Sequence, residues 1–520
     1  DWSQYFTDLD NIKKLKLTDV NQTLTQFLVP QHRISGDIQP TPEEQKKALK
    51  QKQASEPAKT LTQTDIQAEP LKDSRVYQQE VAEYVKASKQ SLVNTEKKIQ
   101  RGTLKNGIQY ALYPTSTRDD KTYATISIDF GTEKSLFNQG EVLDLMAYLL
   151  LRGSDQYSLQ DIADKSIEAG GGATANAAGN SITIQIVAKK EKFADYFKFM
   201  LEVLKKPKFE QSQFDLIKSQ SLSALDRPYT EPETVAALTM TRLLETYQPG
   251  DLRYHFEPEF SKQQIKAATV EQVKTLYQNF FVSNHAQIAI TGDYQAKAML
   301  KILQKEFGGW KAKLPYQRLS SDYQAYPAQK VHTLSEQREF GNYQSILTFP
   351  VGADHPDTPA LMVFSYILGD SQLSSRLAQE LREKNALVYG FGSGLNLDEW
   401  LDSGALTIEA NYTAGKSAQV SQGVHKVLND LLSKGVTEQE LEAAKANILK
   451  KRVTALEDER NIHRMLTPQL EHHRDLLFRE KRDQALAKLT KADVDAVIKK
   501  YIKLDQFVEV MADQYGKAQK

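Results

Sequence analysis

Thr269-Val270-Glu271-Gln272-Val273, Phe280, Ala286-Gln287-Ile288-Ala289-Ile290 and Gly292-Asp293 form a short program: an amphipathic helix, a strand, then an acidic turn. Val273 and Phe280 are seven residues apart, so they share one helical face. The same program recurs at Thr490-Lys491-Ala492-Asp493-Val494, Tyr501, Phe507-Val508-Glu509-Val510 and Asp513. A third copy, without a body in front of it, runs from Leu17-Thr18-Asp19-Val20 through Phe27 to Gly36-Asp37. Each copy reads as the end of a domain, and the 221 residues between Val273 and Val494 set the size of one repeat.

The bodies preceding the two complete endings have the same order. The first opens on Gly102-Thr103-Leu104-Lys105-Asn106-Gly107-Ile108, where Asn106-Gly107 marks a hairpin turn. Tyr123–Phe130 alternates as a strand, and helical patterns follow near 140–151, 158–169, 191–204, 210–226 and 231–246. The second body has a strand at Gln344–Phe349, helices near 357–369 and 374–384, strands near 388–396 and 402–412, and helices near 416–433 and 437–457. Strands followed by helices in each unit predict an α+β fold: two homologous domains, each a largely antiparallel sheet with helices on one face, preceded by the tail of another such domain. The predicted boundaries are 1–45 for that tail, 46–98 for a polar linker, 99–314 for the first domain and 315–520 for the second. Within the linker, rich in Gln, Lys and Glu, only Val76–Val85 has a convincing helical pattern.

Composition narrows the function classes. The 520 residues carry 67 basic and 67 acidic side chains, so no global field favours nucleic acid. No run approaches about 18 apolar residues, the length that reads as a membrane span. Cysteine is absent, which removes disulfides, thiolate nucleophiles and Cys-ligated zinc. Asp1-Trp2-Ser3-Gln4-Tyr5 has neither the basic nor the apolar region of a signal peptide, so any such peptide is expected upstream or removed.

The chemistry concentrates in one segment. Ser374-Ser375-Arg376-Leu377 leads to Leu381-Arg382-Glu383-Lys384-Asn385-Ala386-Leu387-Val388-Tyr389-Gly390, placing Arg382 and Tyr389 seven apart where a helix runs into a strand. A rigid guanidinium fork and a compact phenol together suit a peptide carbonyl that becomes an oxyanion. The alternative is that Arg382 pairs with a nearby Glu and Tyr389 is a half-buried strand residue. Gly369-Asp370-Ser371-Gln372, just before, reads either as a substrate-contacting loop or as an N-cap turn. His472-His473 is the one histidine cluster, and adjacent helical residues point about 100° apart, so a solvated surface is expected. Gly170-Gly171-Gly172 lacks the Lys-Ser/Thr of a phosphate loop and reads as a flexible lead into Ser181–Val187.

With Ser375-Arg376-Leu377-x-x-Glu380-Leu381-Arg382-Glu383-Lys384-x-x-Leu387-Val388-Tyr389 in view, the chain resembles the pitrilysin/insulinase family of zinc metallopeptidases, the inverzincins. The resemblance implies that Arg382 and Tyr389 are the pair gripping substrate beside the zinc, with Gly369, Ser374 and Ser375 contacting substrate. It also implies a closed chamber made of two halves, peptide or unfolded polypeptide substrates, and a bacterial periplasmic address. The family's metal motif is His-x-x-Glu-His on the first long helix of a domain. Counting back from Arg152-Gly153-Ser154, those positions hold Asp144, Ala147 and Tyr148, and the third-ligand region Leu222-Ser223-Ala224 has no carboxylate. The corresponding helix of the second body, Pro359–Leu368, carries no ligand either. The expectation is thus a substrate-binding C-terminal half that binds no metal itself, with zinc in an absent N-terminal half or partner subunit. The alternative is a non-catalytic scaffold or partner of the same family.

Overall fold

The computed structural model describes residues 2–27, 70–336, 339–371 and 374–517. Residues 1–59 and 60–520 form two separate compact units. The first contains the helices Trp2–Lys14 and Leu17–Phe27, the latter with Leu17, Val20, Leu24 and Phe27 exposed. The Gly36-Asp37 ending of that copy lies outside the described residues.

The second unit is built on two sheets. One orders β1 (Gln100–Thr103), β2 (Gln109–Pro114), β6 (Ala286–Gly292), β3 (Lys121–Asp129), β5 (Ser181–Lys189) and β4 (Gly172–Ala178) from edge to edge. The other orders β7 (Gln329–Leu334), β11 (Val508–Asp513), β8 (Phe340–Phe349), β10 (Gly404–Thr413) and β9 (Val388–Leu397). Once the edge strand β1 is set aside, the two orders coincide, with β2 in the place of β7. In each, the closing strand of the repeat lies inside the sheet, parallel to one neighbour and antiparallel to the other. The repeated threonine that opens each closing helix is its N-cap: Thr269 forms a capping box with Gln272, and Thr490 with Asp493. Such caps contribute about 1 kcal/mol each.

Both closing strands are buried along their whole length. The reason is an exchange of helices between the repeats. Helix Glu459–Glu471, from the second half of the chain, lies over β2, β6 and β3, packing Ile462 and Leu466 against Ala111, Tyr113 and Ala289. Helix Pro232–Leu243, from the first half, lies over β8 and β11, packing Ala236 and Met240 against Val508, Val510 and Ala512. Helices of the same repeat cover the opposite faces, so each sheet is a middle layer. Burying a side chain such as Leu466 contributes about 1.5–3 kcal/mol, and here that energy ties the repeats into one body.

Several local expectations shift. The helix expected at 76–85 runs over Ser74–Glu96, docked through Tyr77, Val81 and Leu92 on helices Glu438–Ala455 and Phe478–Lys488. The glycine run is no flexible lead. Gly170 ends helix Leu159–Ala169 at φ 61°, a Cβ on Gly171 would sit 1.8 Å from the Val187 carbonyl oxygen, and Gly172 starts β4. The small residues of β4 carry no strand propensity, and pairing with β5 supplies the order. Helices Pro258–Ala267, Ala296–Phe307, Glu459–Glu471 and Phe478–Lys488 were not anticipated.

Candidate functional site

The segment bearing Arg382 and Tyr389 is anchored on its hidden side. Ser375 is fully buried, and its Oγ accepts the Ala378 N–H at 3.2 Å. Leu377, Ala378 and Leu381, all fully buried, fasten the wide helix Ala378–Lys384 to the core. Arg376 forks onto Glu440, with Nε 2.5 Å from Oε1 and a terminal nitrogen 2.8 Å from Oε2. Burial alone would push the Glu440 carboxyl up; that fork and the Thr437 cap outweigh it and hold the carboxyl low.

The helix ends in a tight reversal. The Leu387 N–H donates to the Leu381 carbonyl at 2.8 Å and the Ala386 N–H to that of Arg382 at 3.1 Å, with Ala386 left-handed at φ 46°. That closure is a helix-terminating pattern usually given to glycine. It delivers the chain directly into β9, where the pairing with β10 slips. Gly390 faces Asn411 and Val388 faces Tyr412, so Tyr389 has no partner in the ladder. A bulge of this kind turns a side chain out of the regular alternation.

Tyr389 is 47 % exposed, with its ring edge-on to Phe340 at 5.2 Å. Burial, and then the Glu233 carboxylate, raise its phenol above the usual range, so the hydroxyl stays protonated and able to donate. Arg382 stands over Phe391, and one of its terminal nitrogens is sealed from water with no hydrogen-bond partner. The expected alternative, a carboxylate partner for Arg382, is not found among the described residues. Farther along β9 a groove of about 400 Å³ is lined by Gly390, Phe391, Gly392 and Gly394 and by Thr407, Glu409 and Asn411 of β10. Asn411 donates to Glu233 at 2.8 Å, which ties the first repeat's helix to this groove.

The other predicted residues sit behind this surface. Gly369 is buried, and a Cβ there would lie 2.7 Å from the Ser393 backbone nitrogen. Ser374 is partly buried and donates to Ser371 Oγ at 3.3 Å. Phe391, Phe340, Glu233 and Asn411 were missed by sequence reasoning; alternate glycines in a strand, a mark of close approach, were the available signal.

The would-be metal positions do converge in space. Asp144 and Tyr148 of helix Gly140–Leu149 share a cleft of about 210 Å³ with Glu141 and with Ser221 and Ala224 of helix Gln211–Leu225. Its donors are two carboxylates without an imidazole, and no group of three or more potential metal ligands occurs among the described residues. Zinc sites need three or four such donors, so these residues do not fit zinc. Burial, with Glu141 adding, pushes the Asp144 carboxyl up to about 6. His472 stacks on Trp400 at 4.1 Å and His473, at φ 52°, meets Gln109, so the pair is not an open helical surface.

Residues 267–448 match the family model for the peptidase M16 inactive domain. An uncharacterized zinc protease of Mycobacterium leprae is 27 % identical over 203 residues, 37 % of this chain and 43 % of that protein. An uncharacterized zinc protease of Bacillus subtilis, YmxG, is 27 % identical over 176 residues, 34 % and 41 % of the respective chains. A non-peptidase homolog of Helicobacter pylori is 24 % identical over 250 residues, 48 % and 55 %. The chain thus matches about half the length of these curated relatives. Among solved structures, a peptidase M16 inactive domain from Pseudomonas fluorescens shares the fold at TM-score 0.69 and 20 % identity, over 81 % of this chain and 99 % of that one. The periplasmic protease PqqL of Escherichia coli does so at TM-score 0.66 and 12 % identity, over 81 % and 48 %.

Proposed function

We propose that this chain, a member of the M16 peptidase family carrying its inactive domain, is the substrate-holding half of a zinc metalloendopeptidase that cleaves peptides or unfolded polypeptides in a closed chamber. The observation carrying this reading is the unpartnered terminal nitrogen of Arg382, which stands over Phe391, two residues along β9 from the bulged, half-exposed Tyr389. A buried donor without an acceptor is costly, and a substrate carbonyl oxygen would satisfy it. The Arg382 fork and the Tyr389 hydroxyl would hold that oxygen and stabilise it as negative charge develops. Gly369 and Ser375 support the pair from behind, and the 99–314 repeat contributes Glu233 and Asn411's anchor without metal chemistry of its own.

In the complete enzyme an N-terminal half supplies the zinc. A periplasmic address is consistent with PqqL, and no described helix is long and apolar enough to cross a membrane. The test is reconstitution: this chain alone, and with its complementary half, is given a quenched fluorescent peptide while zinc content is measured. Cleavage only in the combined sample supports the reading. A non-catalytic scaffold is the second reading, favoured by the Helicobacter pylori non-peptidase homolog, and absence of cleavage in both samples would select it.

A further inference from the structure

A cavity in the second unit lies away from the metal-helix cleft. It opens between helices Ser74–Glu96, Glu438–Ala455 and Phe478–Lys488 and β9, and has a volume of about 590 Å³. Leu92, Met362, Leu395, Leu397, Ile448 and Leu456 give it apolar walls. Four cations, Lys451, Arg452, Arg479 and Arg482, face three carboxylates, Asp370, Glu399 and Asp483.

Most of these charges are spoken for. Arg452 pairs with Asp483, which also accepts the Ser88 hydroxyl at 2.5 Å. Arg482 donates to Asp354 at 2.7 Å and to the Ala353 carbonyl at 2.8 Å. Glu399 lies 3.5 Å from Arg474, and Lys451 3.9 Å from Asp370. Arg479 is left over. Among the described residues no hydrogen bond or ion pair holds its guanidinium, and its Nε is cut off from water. Burial, with Arg452 and Arg482 adding to it, disfavours its charge, and the Asp483 and Glu399 carboxylates nearby only partly offset this. A partly buried cation without a hydrogen-bonded partner is costly, so one added negative charge within reach of Arg479 would be favourable.

We propose that this cavity binds the C-terminal carboxylate and apolar last side chain of a peptide, with Arg479 as the carboxylate's partner. One surplus positive charge matches a carboxylate rather than a phosphate dianion, and an arginine fork suits it bidentately. The volume falls within the usual range for small-ligand sites, about 300–1,000 Å³. A peptide is favoured over a fatty acid because β9 pairs only with β10, and its Gly394–Leu397 stretch lines the cavity. An edge strand offers backbone donors and acceptors that amides use and an acyl chain does not.

The experiment is fluorescence anisotropy with a labelled hexapeptide ending in leucine, as free acid and as C-terminal amide, with decanoate as competitor. The free acid is expected to bind saturably and the amide at least tenfold more weakly. Arg479→Gln should weaken the acid at least tenfold and leave the amide unchanged. Equal binding of acid and amide, an unaffected Arg479→Gln, no saturable binding, or binding of decanoate but not of peptide would each overturn the proposal. Removing an unpaired buried cation should not lower stability, and the acid–amide comparison on the unmodified chain decides even if the variant misfolds. The assay needs no cleavage, so its outcome is separate from that of the peptidase reading.

Discussion

The guanidinium carbon of Arg382 lies 5.8 Å from the centroid of the Phe391 ring, two residues along β9 from Tyr389. The ring is a fixed platform that takes the place of a carboxylate partner. A salt bridge would have neutralised Arg382 and turned its donors inward; an aromatic face steadies the cation and leaves a donor free. In the proposed role, this contact would hold the Arg382 guanidinium in place before substrate arrives.

Removing these donors should cost turnover more than stability. In the reconstituted enzyme, Arg382→Ala and Tyr389→Phe are each expected to lower kcat/KM by about ten- to a thousand-fold, the range for a lost oxyanion donor. Arg382→Lys should not restore it, because an ammonium has no planar fork. Steady-state kinetics beside thermal melts separates the two effects, and unchanged kinetics for both residues refutes the assignment.

Gly369→Ala should act from behind. The new Cβ would press on the backbone nitrogen of Ser393, which cannot move without shifting β9. Overpacking of this kind costs about 1–3 kcal/mol. Urea denaturation should register that loss, and turnover should fall with Arg382 and Tyr389 intact because the bulge moves with the strand.

His463 makes stability depend on acid. It is buried between Thr125, whose Oγ1 is 2.8 Å from Nε2, and Thr291, whose Oγ1 is 3.0 Å from Nδ1. Burial first, then Arg464, lowers its pKa to about 4, against 6.5 for the free group. The unfolded chain therefore takes up a proton before the folded one does. Stability is complete above pH 6.5 and lost as pH falls towards 4, by about 3 kcal/mol for this group. Urea midpoints at pH 7.5, 5.5 and 4.0 should show that slope, and His463→Gln should flatten it.

Asp144 has the opposite sign. Its folded pKa of about 6 exceeds the ordinary 3.8, so the folded state gives up this proton less readily and loses stability as pH rises through 6. Asp144→Asn should raise the melting temperature at pH 8 and leave it unchanged at pH 4. Because the carboxyl meets solvent at the mouth of its cleft, screening limits the gain to about 1 kcal/mol.

Local, periodic signals were the legible ones. The Thr, Val and aromatic spacing of the closing helices identified the repeat, and the structure shows why: threonine caps the helix while valine and the aromatic face the core. The family resemblance and the α+β fold followed from that repeat and from the Arg376–Tyr389 segment. β4 was hidden because its glycine and alanines are poor strand formers, and the turning-out of Tyr389 because a one-residue slip in pairing has no sequence mark.

Taken alone, the amino-acid sequence determined the repeat, the fold class, the family resemblance and the residue types at the would-be metal positions, since each is written in short-range order or identity. Tertiary structure alone decided that the two sheets exchange covering helices, that Arg382 has no carboxylate partner among the described residues, that Asp144 and Tyr148 share a cleft with Ser221 and Ala224, and that Arg479 has no hydrogen-bonded partner among the described residues in a charge-lined cavity with apolar walls. Each of these depends on side chains from distant parts of the chain meeting in a low-dielectric interior. There, pairing and burial are set by packing rather than by spacing along the chain.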